Sequence, residues 1–280
     1  MQNQSGSIPA APAYSAAAAA APARPSGVNL SLAGRTALVT GGSRGIGAAT
    51  VRLFHQAGAR VAFSYRTAQP QAEALAAECG ALALQQELAT PQDGESLVAR
   101  TLAALGDLDI LVVNHGIWPP VETSVATMTA AQWRHTQAVN VDSSFGLIHA
   151  AAAHMLTRSG PVRGHIVLIA SAAGQRGEGF HADYAASKGA LISLTKSLSS
   201  ELAPHGIYAN CVAPGWTHTE MTDSVFGNPE IAARTNPTIP VGRPAHVDEI
   251  AGPILFLCTP FAGFISGEIF NVNGGAVLTG

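Results

Sequence analysis

From residue 36 onward, short uninterrupted apolar runs alternate with longer stretches whose apolar positions recur at helical spacing. Thr36-Ala37-Leu38-Val39-Thr40 is the first run and predicts a buried strand. Residues 41–45 then read as a glycine-rich loop, and 46–57 as a helix closed by Gly58. The same alternation predicts strands at 60–64, 81–86, 109–114, 165–170, 207–212 and 268–272. Helices are expected at 71–79, from Thr90 to near 105, from Thr129 to near 156, around Tyr184 and Lys188, and at 247–258. Thr90-Pro91 pairs an N-cap with a proline at the first helical position, and Thr129-Ala130-Ala131-Gln132 has the spacing of a capping box. Pro253 is expected to bend the last helix.

Apolar runs without polar alternation belong to strands covered on both faces, and helical connections join parallel neighbours. The pattern predicts an α/β fold: a Rossmann-type doubly wound parallel sheet of about seven strands with helices on both faces. Ligands of such sheets bind beyond the carboxyl ends of the strands. The loop at Gly41, Asn114, Ser171 and Pro214 each follow or end a predicted strand, so they should gather along one edge. Residues 1–30, rich in alanine and proline, are expected to be a disordered tail, which leaves 31–280 as a single domain.

Composition narrows the chemistry. The net charge of −3 with only 12% charged residues gives no electrostatic footprint for nucleic acid. Cys79, Cys211 and Cys258 are odd in number and far apart, which fits reduced thiols and a cytoplasmic protein. The ten histidines contain no ligand-spaced pair, so no metal is expected. Residues 250–267 carry no charge, but Gly252, Pro253, Pro260 and Gly263 interrupt them, arguing against a membrane span.

Two motifs remain. Thr40-Gly41-Gly42-Ser43-Arg44-Gly45-Ile46-Gly47 lies between a strand and a helix, where glycines let the backbone approach a pyrophosphate and the helix N-terminus supplies amide donors. Tyr184-Ala185-Ala186-Ser187-Lys188 sets a phenol and an ammonium four residues apart on one helix face. A cation there is expected to lower the Tyr184 pKa and make it a general acid/base.

Together these motifs resemble the short-chain dehydrogenase/reductase family, over roughly residue 32 to the C-terminus. The resemblance implies four catalytic residues, Asn140, Ser171, Tyr184 and Lys188, with Asn140 positioning a water that links Lys188 to solvent. It implies cofactor contacts from Gly41, Ser43, Arg44, Gly45, Ile46 and Gly47 in the loop, and from Glu87 and Leu88 near the adenine. Asn114, Gly116, Tyr184, Lys188, Pro214, Gly215, Thr217 and Thr219 complete that set. Three departures stand out: Asn114-His115-Gly116 where the family has Asn-Ala-Gly, Glu87-Leu88 for Asp-Val, and Ala170 before the serine. His115 is expected to face the cofactor region.

The end of strand two carries Arg66 and no acid, and Arg44 lies inside the loop; basic residues at both places imply NADP(H) as cofactor. A substrate pocket is expected from 117–123, 175–183 and the segment after Pro214, offering Trp118, Phe180, Trp216 and Phe226 beside Glu178, His181 and His218. The implied reaction is hydride transfer between nicotinamide and a small-molecule carbonyl or secondary alcohol, most similar to 3-oxoacyl-acyl-carrier-protein reductases. The implied assembly is a homotetramer. The alternatives are an NAD-preferring sugar or steroid alcohol dehydrogenase, an epimerase or dehydratase, and a noncatalytic dinucleotide sensor.

Overall fold

A computed structural model describes residues 29–278; most of the tail expected over 1–30 lies outside them. Seven strands form one sheet: Thr36–Val39 (β1), Arg60–Tyr65 (β2), Leu82–Gln85 (β3), Ile110–Val113 (β4), Gly164–Ile169 (β5), Ile207–Pro214 (β6) and Ile269–Val272 (β7). Every pairing is parallel, in the order β3-β2-β1-β4-β5-β6-β7. The helices are Gly45–Gln56 (α1), Gln69–Cys79 (α2), Pro91–Leu105 (α3), Ala130–Gln137 (α4), Ser143–Thr157 (α5), Ala172–Arg176 (α6), Ala182–Leu202 (α7), Asp223–Phe226 (α8), Pro229–Thr235 (α9) and Val247–Leu257 (α10).

The doubly buried strands divide their side chains by parity, as a two-residue period requires. Ile110 and Val112 of β4 join the core under α1 and α10, while Leu111 and Val113 join the core under α3, α5 and α7. Each of these four is fully buried, a gain of about 1.5–3 kcal/mol per side chain over exposure. Strand order reverses between β1 and β4, so the crevice at their carboxyl ends is the place where this architecture binds ligands.

Local signals account for most boundaries. Thr90 caps α3 with a reciprocal bond to Asp93, and Gly106 closes it in the left-handed region at φ 81°. The expected capping box at Thr129 forms only by half. Its hydroxyl accepts the Gln132 amide, but the Gln132 side chain reaches Asp183 instead. The long helix expected over 129–156 is also interrupted, because Ala138–Asp142 is a π-helical turn in which the Ser143 amide bonds Ala138 O. Hydroxyls of Ser143 and Ser144 bond the carbonyls of Val139 and Asn140, each at 2.8 Å, and so satisfy groups that the wider turn displaces. The short helices between 220 and 238 lack any helical apolar period, and no sequence pattern predicts them.

Candidate active site

The glycine loop is shaped by what surrounds it. Gly41 and Gly45 have φ of 63° and 54°, a region that side chains rarely tolerate. A Cβ on Gly47 would overlap the Gly41 carbonyl, so α1 can start this close to β1 only with glycine there. Asn114 fixes the loop from the neighbouring strand, its side-chain amide donating to Thr40 O at 2.9 Å and Gly41 O at 3.1 Å. Ser64 at the end of β2 accepts the Gly41 and Gly42 amides on its Oγ and carbonyl, at 3.2 and 2.8 Å.

Beside this loop lies a cavity of about 370 Å³. Of the expected cofactor residues, Gly41, Ser43, Arg44, Gly45, Ile46, Arg66, Glu87, Leu88, Asn114 and Gly116 line it. Tyr184, Lys188, Pro214, Gly215, Thr217 and Thr219 line it as well, and so does Ser171. Gly47 does not; it backs the loop from behind. An elongated dinucleotide fits a surface of this kind: glycine backbone and a helix N-terminus at the middle, guanidiniums at one end, hydroxyl and phenol at the other.

At the far end Ser171 caps α6, its Oγ accepting the Ala173 amide at 3.1 Å, and its side chain neighbours the Tyr184 phenol, whose ionised form it favours. Burial pushes the Tyr184 pKa up to about 12, with the neighbouring Ser171 opposing and the nearby Glu178 charge adding to the rise. The expectation that Lys188 lowers this pKa is therefore not met. The Lys188 ammonium donates to Ile169 O at 2.8 Å and sits 5.8 Å from the centre of the Tyr184 ring, while its own pKa is drawn down to about 8 by burial. The arrangement holds a phenol that stays protonated at neutral pH. It is suited to giving up a proton to an oxygen that gains negative charge.

Asn140 is fully buried in the π-turn and does not line the cavity. Its Oδ1 accepts the Ile117 amide at 2.8 Å, and its Nδ2 donates to Ile117 O and Ser187 Oγ at 3.0 and 2.9 Å. That amide is committed to the loop after β4 and to α7. Both Nδ2 hydrogens are thereby used, while Oδ1 keeps one acceptor position for the water-positioning role expected of it.

His115 is half-buried and lines the cavity, and both its ring nitrogens bond to the protein. Nε2 lies 3.1 Å from Val139 O and 2.8 Å from Ser143 Oγ, and Nδ1 lies 2.8 Å from the Thr40 hydroxyl. A carbonyl can only accept, so Nε2 carries the hydrogen and Nδ1 accepts from Thr40. Thr40 Oγ1 in turn accepts the Asn114 and His115 amides at 3.0 and 3.2 Å. Burial, with Lys188 nearby, depresses the His115 pKa to about 3. The bulky residue thus bolts the carboxyl ends of β1 and β4 to the π-turn.

A second brace holds the tyrosine helix. Asp183, buried at the start of α7, accepts from Thr136 Oγ1 at 2.7 Å and Gln132 Nε2 at 3.3 Å, and Gln137 Nε2 bonds its carbonyl at 2.9 Å. No sequence signal marked it. On the substrate side, Ile117, Trp118, Glu178 and Trp216 line the cavity. Trp118 stacks on His181 at 4.7 Å and meets Trp216 edge-on at 6.2 Å. Phe226 and His218 stand behind Trp216 rather than in the cavity, and Phe180 is exposed with a φ of 62°.

Among the described residues no cluster of His, Cys, Asp and Glu could hold a metal, and no helix is long and apolar enough to cross a membrane. The family model described as enoyl-(acyl carrier protein) reductase matches residues 41–277. The acetoacetyl-CoA reductase of Shinella zoogloeoides is 38% identical over 243 residues, covering 86% of this chain and 98% of that protein. The 3-oxoacyl-[acyl-carrier-protein] reductase of Synechocystis is 35% identical over 253 residues, covering 88% and 98%. A short-chain dehydrogenase of Burkholderia cenocepacia, solved in complex with NADP, superposes with a TM-score of 0.79 at 34% identity, covering 88% of this chain and 98% of that one.

Proposed function

Because the chain belongs to the short-chain dehydrogenase/reductase family, we propose that it is an NADP(H)-dependent oxidoreductase of the 3-oxoacyl-acyl-carrier-protein reductase type, acting on a carbonyl or secondary alcohol. The observation that carries this reading is the placement of Ser171 beside the Tyr184 phenol in the same cavity as the glycine loop. The nicotinamide cofactor supplies the hydride chemistry when bound. The loop amides and the start of α1 would hold its pyrophosphate, Arg44 and Arg66 its ribose phosphate, and the segment from Pro214 to Thr219 its nicotinamide side.

The remaining work falls to the protein's own groups. Ser171 donates to the substrate oxygen and stabilises the charge that develops there. Tyr184, kept as a phenol by burial, delivers its proton to the same oxygen, which favours reduction as the direction handled at neutral pH. Lys188 places a positive charge beside the phenolate that remains and binds the nicotinamide ribose. Asn140 and His115 keep the loop and the π-turn in register with α7. Trp118 and Trp216 wall the substrate, a surface that suits the acyl part of a thioester. Exposed Phe145 on α5, and Phe261 and Phe264 after α10, suit burial in a homotetramer, and the buried, unpaired cysteines fit a cytoplasmic enzyme.

The test follows NADPH absorbance with a panel of ketones and acetoacetyl thioesters, with NADH in parallel to weigh an NAD-preferring alternative. Tyr184→Phe should lose about 10²- to 10⁴-fold in kcat while still binding cofactor. Ser171→Ala should lose on the order of 10²-fold. Near-full activity in the phenylalanine variant would overturn the mechanism.

A further inference from the structure

One ion pair joins the glycine loop to the segment after β6. Arg44 Nη1 lies 2.6 Å from Glu220 Oε2, between side chains that are 58% and 54% exposed. The partners are 176 residues apart in sequence, and both line the cavity. Glu220 opens a single turn of 3-10 helix, Glu220–Thr222, directly after Thr219. A Cβ on Gly45 would lie 3.3 Å from the Thr219 methyl, so the segment carrying Glu220 rests on the glycine loop itself. The guanidinium that should meet the cofactor's extra phosphate therefore already has an anionic partner belonging to the protein.

We propose that Glu220 is a specificity-determining residue for the cofactor: it occupies Arg44 as a built-in competitor, and a phosphate on the adenosine ribose must displace it. This rests on the assignment of Arg44 to that phosphate made above. Two cations, Arg44 and Arg66, line the cavity at this end, and two acids, Glu87 and Glu220, offset them. Only Glu220 is joined to Arg44. The pair is exposed, and exposed pairs are weak, so a dianionic phosphate can replace the carboxylate on the same donors. The consequence is graded. Glu220 lowers affinity for the phosphorylated cofactor and leaves NADH, which needs nothing from Arg44, unaffected.

The experiment measures dissociation constants for NADPH and NADH by nicotinamide fluorescence at low salt. Wild type, Glu220→Gln, Arg44→Ala and the double variant form a cycle. Glu220→Gln should tighten NADPH by about three- to tenfold and change NADH by less than about twofold. In the Arg44→Ala background the same change should have no effect on NADPH. Equal tightening of both cofactors, no tightening at all, or an effect that persists without Arg44 would each overturn the proposal. If wild type binds both cofactors alike and Arg44→Ala alters neither, the assignment of Arg44 to the phosphate fails with it. If NADPH is preferred through Arg44 but Glu220→Gln does nothing, that assignment stands and only the competitor falls.

Discussion

The two walls of the cavity are built on opposite principles. On one side the loop from Gly41 to Gly47 is held by Asn114, Ser64 and the ring of His115, and it leans on strands whose side chains are fully buried. On the other side residues 220–238 form four short helical pieces, none of which contains a buried residue. Trp216, Phe226 and His218 touch one another there by ring edges and faces. The first wall has no spare room, so it can bind one shape of ligand tightly. The second wall is shallow and locally supported, so it can change its contacts without disturbing the sheet. Cofactor recognition calls for the first kind of surface, and the second can serve substrate recognition while lending Glu220 to Arg44 at its edge.

The sharpest way to break this contrast is Gly47→Ala. Its Cβ would overlap the Gly41 carbonyl and stand 2.7 Å from the Asn114 amide, with backbone rather than a flexible side chain as the obstacle. Cofactor affinity should fall by at least about 100-fold, or stability by about 2–4 kcal/mol, read by titration and by urea unfolding. A variant that keeps both would mean the loop wall is far softer than its contacts imply.

Acid offers a graded test of the same wall. The His115 pKa in the folded chain is about 3, below the ordinary 6.5, so between these values the unfolded chain takes up a proton that the folded one refuses. The stability that neutral His115 contributes is complete above about pH 6.5 and is lost as pH falls toward 3. His165 at the opposite end of β5, depressed to about 4 by burial, adds to the same slope. Urea unfolding from pH 7 to 4 should therefore show stability falling steadily in wild type and less steeply in His115→Asn. Parallel curves would show that the buried imidazole is not what acid attacks.

The smallest expected effect lies on the other wall. Phe226→Ala removes a half-buried ring that backs Trp216 from 5.7 Å. Thermal unfolding should shift by no more than about 2–4 °C, the scale of 1 kcal/mol in a chain this size. The ratio of kcat/KM between a bulky and a small ketone should change by about tenfold. A loss of stability matching that of the glycine variant would erase the distinction between the walls.

How much of this was legible in the sequence follows the same division. The glycine loop, the Tyr184/Lys188 spacing and all seven strands are local patterns, and local patterns survive in a linear chain. The short helices of the second wall carry no apolar period, because they bury nothing that would require one. Arg44 could be read as a phosphate ligand, but its pairing with Glu220 across 176 positions leaves no mark near either residue. His115 is visible as a departure and lines the cavity as expected, but its ring partners Ser143 and Val139 lie at a turn that helical periodicity cannot foresee. Lys188 was placed correctly on the face of Tyr184. What spacing could not supply is the Ile169 carbonyl that takes up its ammonium, or the burial that raises the phenol.

The π-turn at Ala138–Asp142 has a geometric consequence for the whole middle helix. One extra residue in a turn offsets the angular phase of everything after it by about 100°, the step of a single helical residue. Before the offset, Gln132, Thr136 and Gln137 address the start of the tyrosine helix. After it, Gly146 abuts the carbonyl of Pro91 so closely that no side chain fits, and Leu147 and Ala151 enter the core shared with α3. The helix works as a two-faced rod twisted at its midpoint, so its length is quantised. Losing or gaining one residue between 138 and 142 would rotate one half against its partners.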